Sequence, residues 1–141
     1  MRFSTRSEYG IRVMVRLGGS YGRGPVALAD LAEQEGLPLS YLEQIAGQLR
    51  RAGLVASRMG VNGGYTLARR PEAISMADIV RSLEGSLAPV SCLAEGGGPG
   101  QCTHAETPCS AHAFWEQLQR TITTSLQSVS VADLMTEPQP A

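Results

Sequence analysis

A β-hairpin signal follows three helical segments, and this order restricts the possible fold more than any other feature of the sequence. Residues 54–59 have the composition of a strand, residues 60–64 include an Asn-Gly pair, and residues 65–67 supply a partner strand. Asn-Gly between two short strands is typical of a tight hairpin turn. We therefore expect a single two-stranded hairpin in a chain that is otherwise helical.

Helical periodicity predicts the three segments before the hairpin at residues 4–17, 26–35 and 40–52. Ser40 and Glu43 have the spacing of a capping box at the start of the third segment. Two helices joined by a turn that contains glycine, and then a hairpin, indicate a winged helix-turn-helix. The predicted fold is mainly α with a small β-hairpin wing, and this DNA-binding domain covers residues 1–85.

The remainder of the chain divides into three predicted parts. A helix over residues 76–83, capped by Ser75 with Asp78, ends at Gly85. Residues 86–110 then form a loop, and residues 111–135 form a long amphipathic helix, since apolar residues recur there at helical steps. Because a small domain has little use for such a helix, we expect it to pack against a second copy. Residues 136–141 are expected to be a disordered tail.

The charge of the chain is unevenly distributed. The formal net charge is −1, but residues 1–85 contain eleven arginines and eight acidic residues, which gives +3. The remainder has one arginine and five acidic residues, which gives −4. The positive half is the half predicted to bind DNA, and arginine suits contacts with phosphate and guanine.

All three cysteines and both histidines lie between Cys92 and Trp115, in a segment rich in glycine. The chain has no apolar run of eighteen residues and no secretion-signal pattern, so we expect a cytoplasmic protein. An odd number of clustered cysteines in a reducing compartment favours metal binding or redox sensing over disulfides. Thiolates suit iron–sulfur clusters or zinc, and the loose spacing, with nine and six intervening residues, favours the cluster.

Several motifs resemble those of the BadM/IscR-type winged-helix transcriptional regulators, and in particular the iron–sulfur regulators of the IscR branch. The motifs lie in residues 1–4, 39–44, 49–55, 63–67 and 109–115, and the resemblance extends to about Leu134. It implies a cytoplasmic homodimer that binds a palindromic double-stranded operator and regulates iron–sulfur assembly or stress genes. It also implies a cluster, most simply 2Fe-2S, with the ligands Cys92, Cys102, Cys109 and His112.

Three alternatives to this interpretation remain open. Glu8 occupies the position at which nitric-oxide-sensing repressors of the NsrR type place an acidic ligand from the other subunit. Glu8 is therefore an alternative fourth ligand, and 4Fe-4S an alternative cluster. The second alternative is a metal-independent regulator whose cysteines sense oxidants directly. The third, an enzyme with a cysteine nucleophile, is disfavoured because a glycine-rich loop holds catalytic geometry poorly and no orienting aspartate is evident; we predict no catalytic residue.

The predicted DNA contacts lie on the third helix and on the wing. The first turn of a recognition helix reaches base edges in the major groove, where glutamine pairs with adenine and glutamate with cytosine. Arginines at the end of the helix and on the wing contact phosphates or the minor groove. The predicted set is Ser40, Tyr41, Glu43, Gln44, Arg50, Arg51, Arg58, Asn62 and Gly63, with Arg2 and Arg6 as further phosphate contacts.

Overall fold

The computed structural model describes residues 2–94 and 110–135 of the 141-residue chain. Most of the predicted ligand loop and all of the predicted tail fall outside these residues. In chain order, the described helices and strands are α1 (Thr5–Gly19), α2 (Leu28–Glu35), α3 (Leu39–Arg51), β1 (Val55–Arg58), β2 (Gly64–Leu67), α4 (Met76–Glu84), α5 (His112–Gln127) and α6 (Val131–Met135). Short 3-10 turns lie at Pro71–Ala73 and Ser91–Leu93.

The core lies between α1, α3 and α4, and it is built from the apolar face of each helix. In α3, for example, Leu42, Ile45 and Leu49 are buried, and the periodic spacing of these residues predicted that face. The core also includes Val13, Met14, Leu17, Leu31, Leu54, Val55, Leu67, Ile74, Ile79 and Leu83. The described chain therefore has the mainly helical core with one hairpin that the sequence predicts.

The hairpin forms as predicted, with one addition. Strands β1 and β2 pair antiparallel, in a register that runs from Val55 opposite Leu67 to Arg58 opposite Gly64. Val26, which we predicted to begin the second helix, instead exchanges two backbone hydrogen bonds of 2.9 Å with Tyr65. Because Val26 is extended in this bridge, α2 begins only at Leu28.

The two predicted capping boxes have opposite outcomes. The Ser75–Asp78 box is present, with both reciprocal hydrogen bonds at 3.1 Å. The Ser40–Glu43 box is wrong, because α3 begins at Leu39 with Pro38 as its N-cap and no side chain caps it. The backbone N–H of Leu42 bonds to the carbonyl of Pro38 at 3.1 Å, so Ser40 already lies within the first turn. The side chains of Ser40 and Glu43 are therefore not needed to cap the helix.

The C-terminal region differs from the single long helix that we predicted for residues 111–135. Helix α5 ends at Gln127, and the chain then turns into the short helix α6. The turn is fixed by backbone hydrogen bonds of 2.9 Å from Met76 to Val129 and from Val131 to Ile74. Val131 is fully buried, so this end of the chain packs into the winged-helix core, whereas α5 lies against α4 with no fully buried residue.

None of the described helices is both long enough and apolar enough to cross a membrane.

Candidate DNA-binding face and metal-ligand segment

The outer face of α3 presents three of the predicted base-reading side chains to solvent. Ser40, Glu43 and Gln44 are exposed, whereas Leu42 and Ile45 on the opposite face are buried. Residues three and four apart lie on the same side of a helix, so the three polar side chains form one short patch. This patch carries hydroxyl, carboxylate and amide groups, which are the groups that distinguish base edges in the major groove.

Tyr41 has a different environment from its neighbours. Its hydroxyl lies 3.0 Å from Oγ1 of Thr5, and its ring meets the ring of Tyr9 edge-on, with the centroids 6.4 Å apart. Tyr41 is also half-buried. Its side chain therefore joins α3 to the first turns of α1, which is a structural role that the sequence pattern did not indicate.

The three predicted arginines lie along the path from α3 to the wing. Arg50, in the last turn of α3, donates a hydrogen bond from Nη1 to Oγ of Ser57 on β1 at 3.4 Å. This contact ties the recognition helix to the hairpin. Arg51 and Arg58 are exposed, and Arg58 lies at the outer end of β1 opposite Gly64. A positive edge thus runs beside the polar patch, where phosphates would flank a groove-bound helix.

The tip of the wing contains both predicted and unpredicted features. Asn62 is exposed, but Gly63 is explained by the turn itself: its N–H bonds to the carbonyl of Gly60 at 3.0 Å, and a Cβ there would overlap the carbonyl oxygen of Arg58. Met59 is 94 % exposed and Val61 is fully exposed. Neither residue was among the predicted contacts. Exposed apolar side chains at a hairpin tip indicate a contact surface, so they extend the candidate interface.

The N-terminus of α1 adds a further cation beside α3. Nη1 of Arg6 lies 3.4 Å from Oε1 of Gln48, on the side of α3 next to the polar patch. Gln48 was not among the predicted contacts, although its position on α3 could have indicated it as a candidate. Arg2 is also exposed, so both N-terminal arginines are accessible to a ligand bound at α3.

The predicted metal ligands are divided between described and undescribed residues. Cys102 and Cys109 lie outside the described residues. Cys92 lies in the 3-10 turn Ser91–Leu93 as a free, half-buried thiol, and His112 is the first residue of α5. Helices α4 and α5 are in contact, and Leu93, Gln119 and Thr123 line a common cavity of about 200 Å³. Leu93, the residue after Cys92, therefore lies beside α5, and α5 is also the helix that begins at His112.

The donor chemistry of the two described ligands fits a thiolate–imidazole site. The thiol of Cys92 is not in a disulfide, and Nε2 of His112 lies 3.0 Å from Oε1 of Glu116, one helical turn on. A histidine that binds a metal through one ring nitrogen commonly bonds a carboxylate through the other, so Nδ1 remains for the metal. Among the described residues, no three His, Cys, Asp or Glu side chains already converge on a point. Glu8, the alternative ligand, is exposed in the first turn of α1.

Comparison with known proteins gives the family. A family model for Rrf2, described as an iron-dependent transcriptional regulator, matches residues 3–137. The chain belongs to the Rrf2 family. It is 36 % identical over 135 residues to the HTH-type transcriptional regulator IscR of Vibrio cholerae, covering 96 % of this chain and 75 % of that protein.

Solved structures of Rrf2 proteins have the same fold. The structure of CymR, the global cysteine regulator of B. subtilis, matches with a TM-score of 0.80 and 33 % identity over 99 % of both chains. The structure of T. potens IscR matches with a TM-score of 0.74 and 34 % identity, over 99 % of this chain and 94 % of that chain. The predicted winged-helix fold and family resemblance are confirmed, and the chain is a DNA-binding transcriptional regulator and not an enzyme.

A carboxylate outside the predicted set joins the end of α4 to the N-terminal end of α1 in this Rrf2 protein. Oε1 of Glu84, the last residue of α4, accepts hydrogen bonds from the backbone N–H and the hydroxyl of Ser4, both at 2.7 Å, and from the hydroxyl of Ser7 at 2.6 Å. Burial alone would raise the pKa of Glu84. The hydrogen bonds from Ser7 and Ser4, together with the charge of Arg6, lower the pKa by more than burial raises it, so it lies below the ordinary value. The next residue, Gly85, is left-handed (φ 85°) and begins the segment that leads to Cys92.

Proposed function

We propose that this protein is an iron–sulfur-cluster-dependent transcriptional regulator that binds its operator as a homodimer. Its regulated genes would be those of iron–sulfur assembly or related stress responses, and its signal would be cluster, iron or redox status. The observation that carries the proposal is the placement of the two described ligands. Cys92 lies seven residues after the end of the DNA-binding domain, and His112 is the first residue of α5. A cluster on these residues would join the part that reads DNA to the part that pairs the subunits.

The proposed ligands are Cys92, Cys102, Cys109 and His112. Three thiolates and one imidazole form a soft donor set suited to an iron–sulfur centre, most simply 2Fe-2S. Such a centre, when bound, supplies a group whose loss or oxidation reports on iron and redox status. Glu116 would orient the imidazole of His112 through their 3.0 Å contact.

The homodimer is supported by the surface of α5. No residue of this helix is buried in the described chain, and Phe114 is 57 % exposed. Phe114 and Trp115 pack against each other edge-on, with centroids 5.0 Å apart, and the half-buried Leu118 and Ile122 continue the same face. Such a stripe is suited to burial against a second α5. Two recognition helices related by twofold symmetry would read a palindromic operator.

Base reading would come from the patch of Ser40, Glu43 and Gln44. Arg50, Arg51 and Arg58 would hold the phosphates, with Arg6 and Arg2 supporting them at the N-terminal side. Asn62 and the backbone at Gly63 would meet the minor groove at the wing tip. Tyr41 would act indirectly, since its hydroxyl is engaged with Thr5.

Two other candidates remain. One is a nitric-oxide-sensing repressor with a 4Fe-4S cluster and Glu8 as a ligand from the second subunit. It is supported by the accessibility of Glu8 at the N-terminus of α1. The other is a thiol-based regulator without metal, which is supported by the free thiol of Cys92 and by the similarity to a global cysteine regulator.

The cluster proposal is tested by anaerobic purification followed by visible spectroscopy and by iron, sulfide and zinc analysis. We expect a red-brown protein with iron and sulfide in equal amounts. Cys92→Ala should bleach it, whereas Ser91→Ala, one residue away in the same turn, should not. A colourless protein with stoichiometric zinc would refute the cluster, and a colourless metal-free protein whose DNA affinity responds to oxidants would favour the thiol regulator. Spectra of His112→Ala and Glu8→Ala decide the fourth ligand.

The switching proposal needs a second measurement. We expect cluster-loaded and cluster-free dimers to differ in affinity or preference for duplexes selected from a random pool by the protein itself. Gln44→Ala should weaken binding by about tenfold or more, mainly at one base pair of each half-site, because a bidentate base contact contributes about 1–3 kcal/mol. Gln127→Ala, at the exposed end of α5, is the matched control. Equal binding by loaded and cluster-free protein to every selected duplex would contradict switching.

A further inference from the structure

Gly47 lies in the interior of α3, where glycine is unfavourable. The helix runs from Leu39 to Arg51, so Gly47 is four residues from its C-terminal end. Glycine loses more backbone freedom than any other residue when it enters a helix, and alanine at such a position is normally more stable. A glycine here therefore needs a physical reason, either inside the fold or outside it.

Of the three other glycines in described helices, Gly19 is the terminal residue of α1, and the other two have reasons within the fold. A Cβ at Gly10 would overlap Cδ1 of Leu83, where α1 crosses α4. A Cβ at Gly18 would lie 2.6 Å from Sδ of Met135 and 2.9 Å from Cγ1 of Val131, where α1 meets α6. In both cases a neighbouring helix occupies the space that a side chain would take.

Gly47 has no such neighbour in the described chain. A Cβ there would meet only Nη1 of Arg51, at 3.5 Å, which is an ordinary contact with the flexible end of a side chain. Gly47 is also not among the glycines with positive φ, so its backbone does not require glycine either. Nothing in the described fold explains the absence of a side chain.

The position of Gly47 on the helix indicates where the reason lies. It follows Ser40, Glu43 and Gln44 by seven, four and three residues, so it lies on their side of the helix one turn on, where it is half-buried. An α-helix with its side chains is about 10–12 Å across, and the major groove of B-DNA is about 12 Å wide. The fit is tight, so the side chains on the inserted face limit how deeply the helix can enter the groove.

We propose that Gly47 is the point of closest approach between α3 and the DNA duplex. The missing side chain lets the helix backbone enter the major groove, with the guanidinium of Arg51 lying beside it at the phosphate edge. Gly47 is thereby a positioning residue for the base contacts of Gln44, one turn earlier. This inference rests on the proposed DNA-binding face.

The test compares two substitutions at Gly47 with the same two at Gly19. Gly19 is the last residue of α1, has no positive φ, and has no atom within 4 Å of the point that a Cβ would occupy. It also lies about 20 Å along the helix axis from Thr5, the residue that contacts α3. Each protein is measured for its melting temperature and for its affinity, by fluorescence anisotropy, for a duplex that the wild type has selected from a random pool.

We expect stability and binding to change in opposite directions at Gly47. Gly47→Ala should raise the melting temperature by about 2–4 °C, because alanine is the better helix former. It should also lower operator affinity on the order of tenfold, and Gly47→Leu should lower it further, because a side chain overfills a close contact. Gly19→Ala and Gly19→Leu should leave affinity within about twofold of the wild type.

The outcomes separate this inference from the function on which it rests. If Gly47→Ala and Gly47→Leu bind the selected duplex as tightly as the wild type, Gly47 is not a close contact, although the regulator still binds DNA. If Gly47→Ala melts below the wild type, the fold itself needs the glycine, and the inference is again wrong. If the wild type selects no duplex, both the inference and the proposed DNA-binding face are overturned.

Discussion

Removal of the carboxylate of Glu84 should measurably destabilise the folded protein. In the structure, Oε1 of Glu84 accepts three hydrogen bonds, two from Ser4 and one from Ser7. Ser7 is only 2 % exposed, so in Glu84→Ala its hydroxyl would lose this acceptor in a place that water reaches poorly. Ser4 is exposed, and water can replace its contacts more easily.

The magnitude follows from these exposures. A hydrogen bond to a charged group contributes about 1.5–3 kcal/mol when buried, and much less when solvent can take its place. Taking about 1.5 kcal/mol for Ser7 and about 0.5 kcal/mol for both contacts of Ser4, we expect Glu84→Ala to cost about 2 kcal/mol. For a chain of this length, that corresponds to a fall in melting temperature of about 6–8 °C.

The effect should depend on pH in a defined direction. The folded-state pKa of Glu84 lies below the ordinary value of 4.5, so the charged carboxylate favours the folded state. This contribution is fully present at pH values above the ordinary pKa, and it is lost as the pH falls through the folded-state pKa. Glu84→Gln keeps the shape without the charge, so its deficit against the wild type should be full at pH 7 and should shrink below pH 4.5.

Urea denaturation followed by circular dichroism, at one fixed protein concentration, measures these differences. A double-mutant cycle between Ser7→Ala and Glu84→Ala isolates their shared contact, and we expect a coupling of about 1 kcal/mol. Ser82→Ala is a suitable control on the same helix, because its hydroxyl bonds to the carbonyl of Ile79 within that helix. A coupling below about 0.3 kcal/mol, or a Glu84→Gln deficit that does not change between pH 7 and pH 3, would refute this reasoning.

Three further changes test other parts of the structure. Tyr41→Phe removes the solvent-exposed bond to Thr5 and should cost about 0.5 kcal/mol in unfolding free energy, while operator affinity by anisotropy stays within about twofold. A large loss of affinity with no loss of stability would mean that Tyr41 contacts DNA. Glu116→Ala removes the carboxylate beside His112, and the visible bands of the loaded protein should decay on the order of tenfold faster under chelator; an unchanged decay would exclude Glu116 as the orienting group. The Glu35 side chain is 1 % exposed and lies between two arginines of α1. Glu35→Gln should therefore lower the urea midpoint at pH 7. An unchanged midpoint would mean that solvent screens these two ion pairs fully.

Local sequence patterns predicted the parts of this fold that local forces determine. The Ser75–Asp78 box and the left-handed Gly85 both depend on residues within one turn, and both are present. The Ser40–Glu43 box has the same spacing and is wrong, because α3 begins at Leu39 and Ser40 therefore lies inside the helix and not at its N-cap. The spacing of two residues alone does not identify the first residue of a helix.

Long-range contacts determine the features that the sequence did not predict. Val26 leaves the predicted helix because it pairs with Tyr65, which is far away in the chain. The predicted C-terminal helix is broken because Val131 reaches a buried place beside Gly18 of α1. Tyr41 has the pattern of an exposed first-turn residue, yet α1 covers it. In each case the partner lies on another element of the fold, and the local spacing of residues does not indicate such a partner.

The N-terminal end of α1 contacts both α3 and the end of α4, the helix that precedes the predicted ligand segment. Thr5 contacts the hydroxyl of Tyr41 on α3, and its neighbours Ser4 and Ser7 hold Glu84 at the end of α4. All of these contacts fall within four consecutive residues, which is about one helical turn. Glu84, two residues before the predicted ligand segment, is therefore linked through the N-terminal end of α1 to α3. Ser7 is buried and Tyr41 packs against the core, so these hydrogen bonds are continuous with the packed faces of α1, α3 and α4.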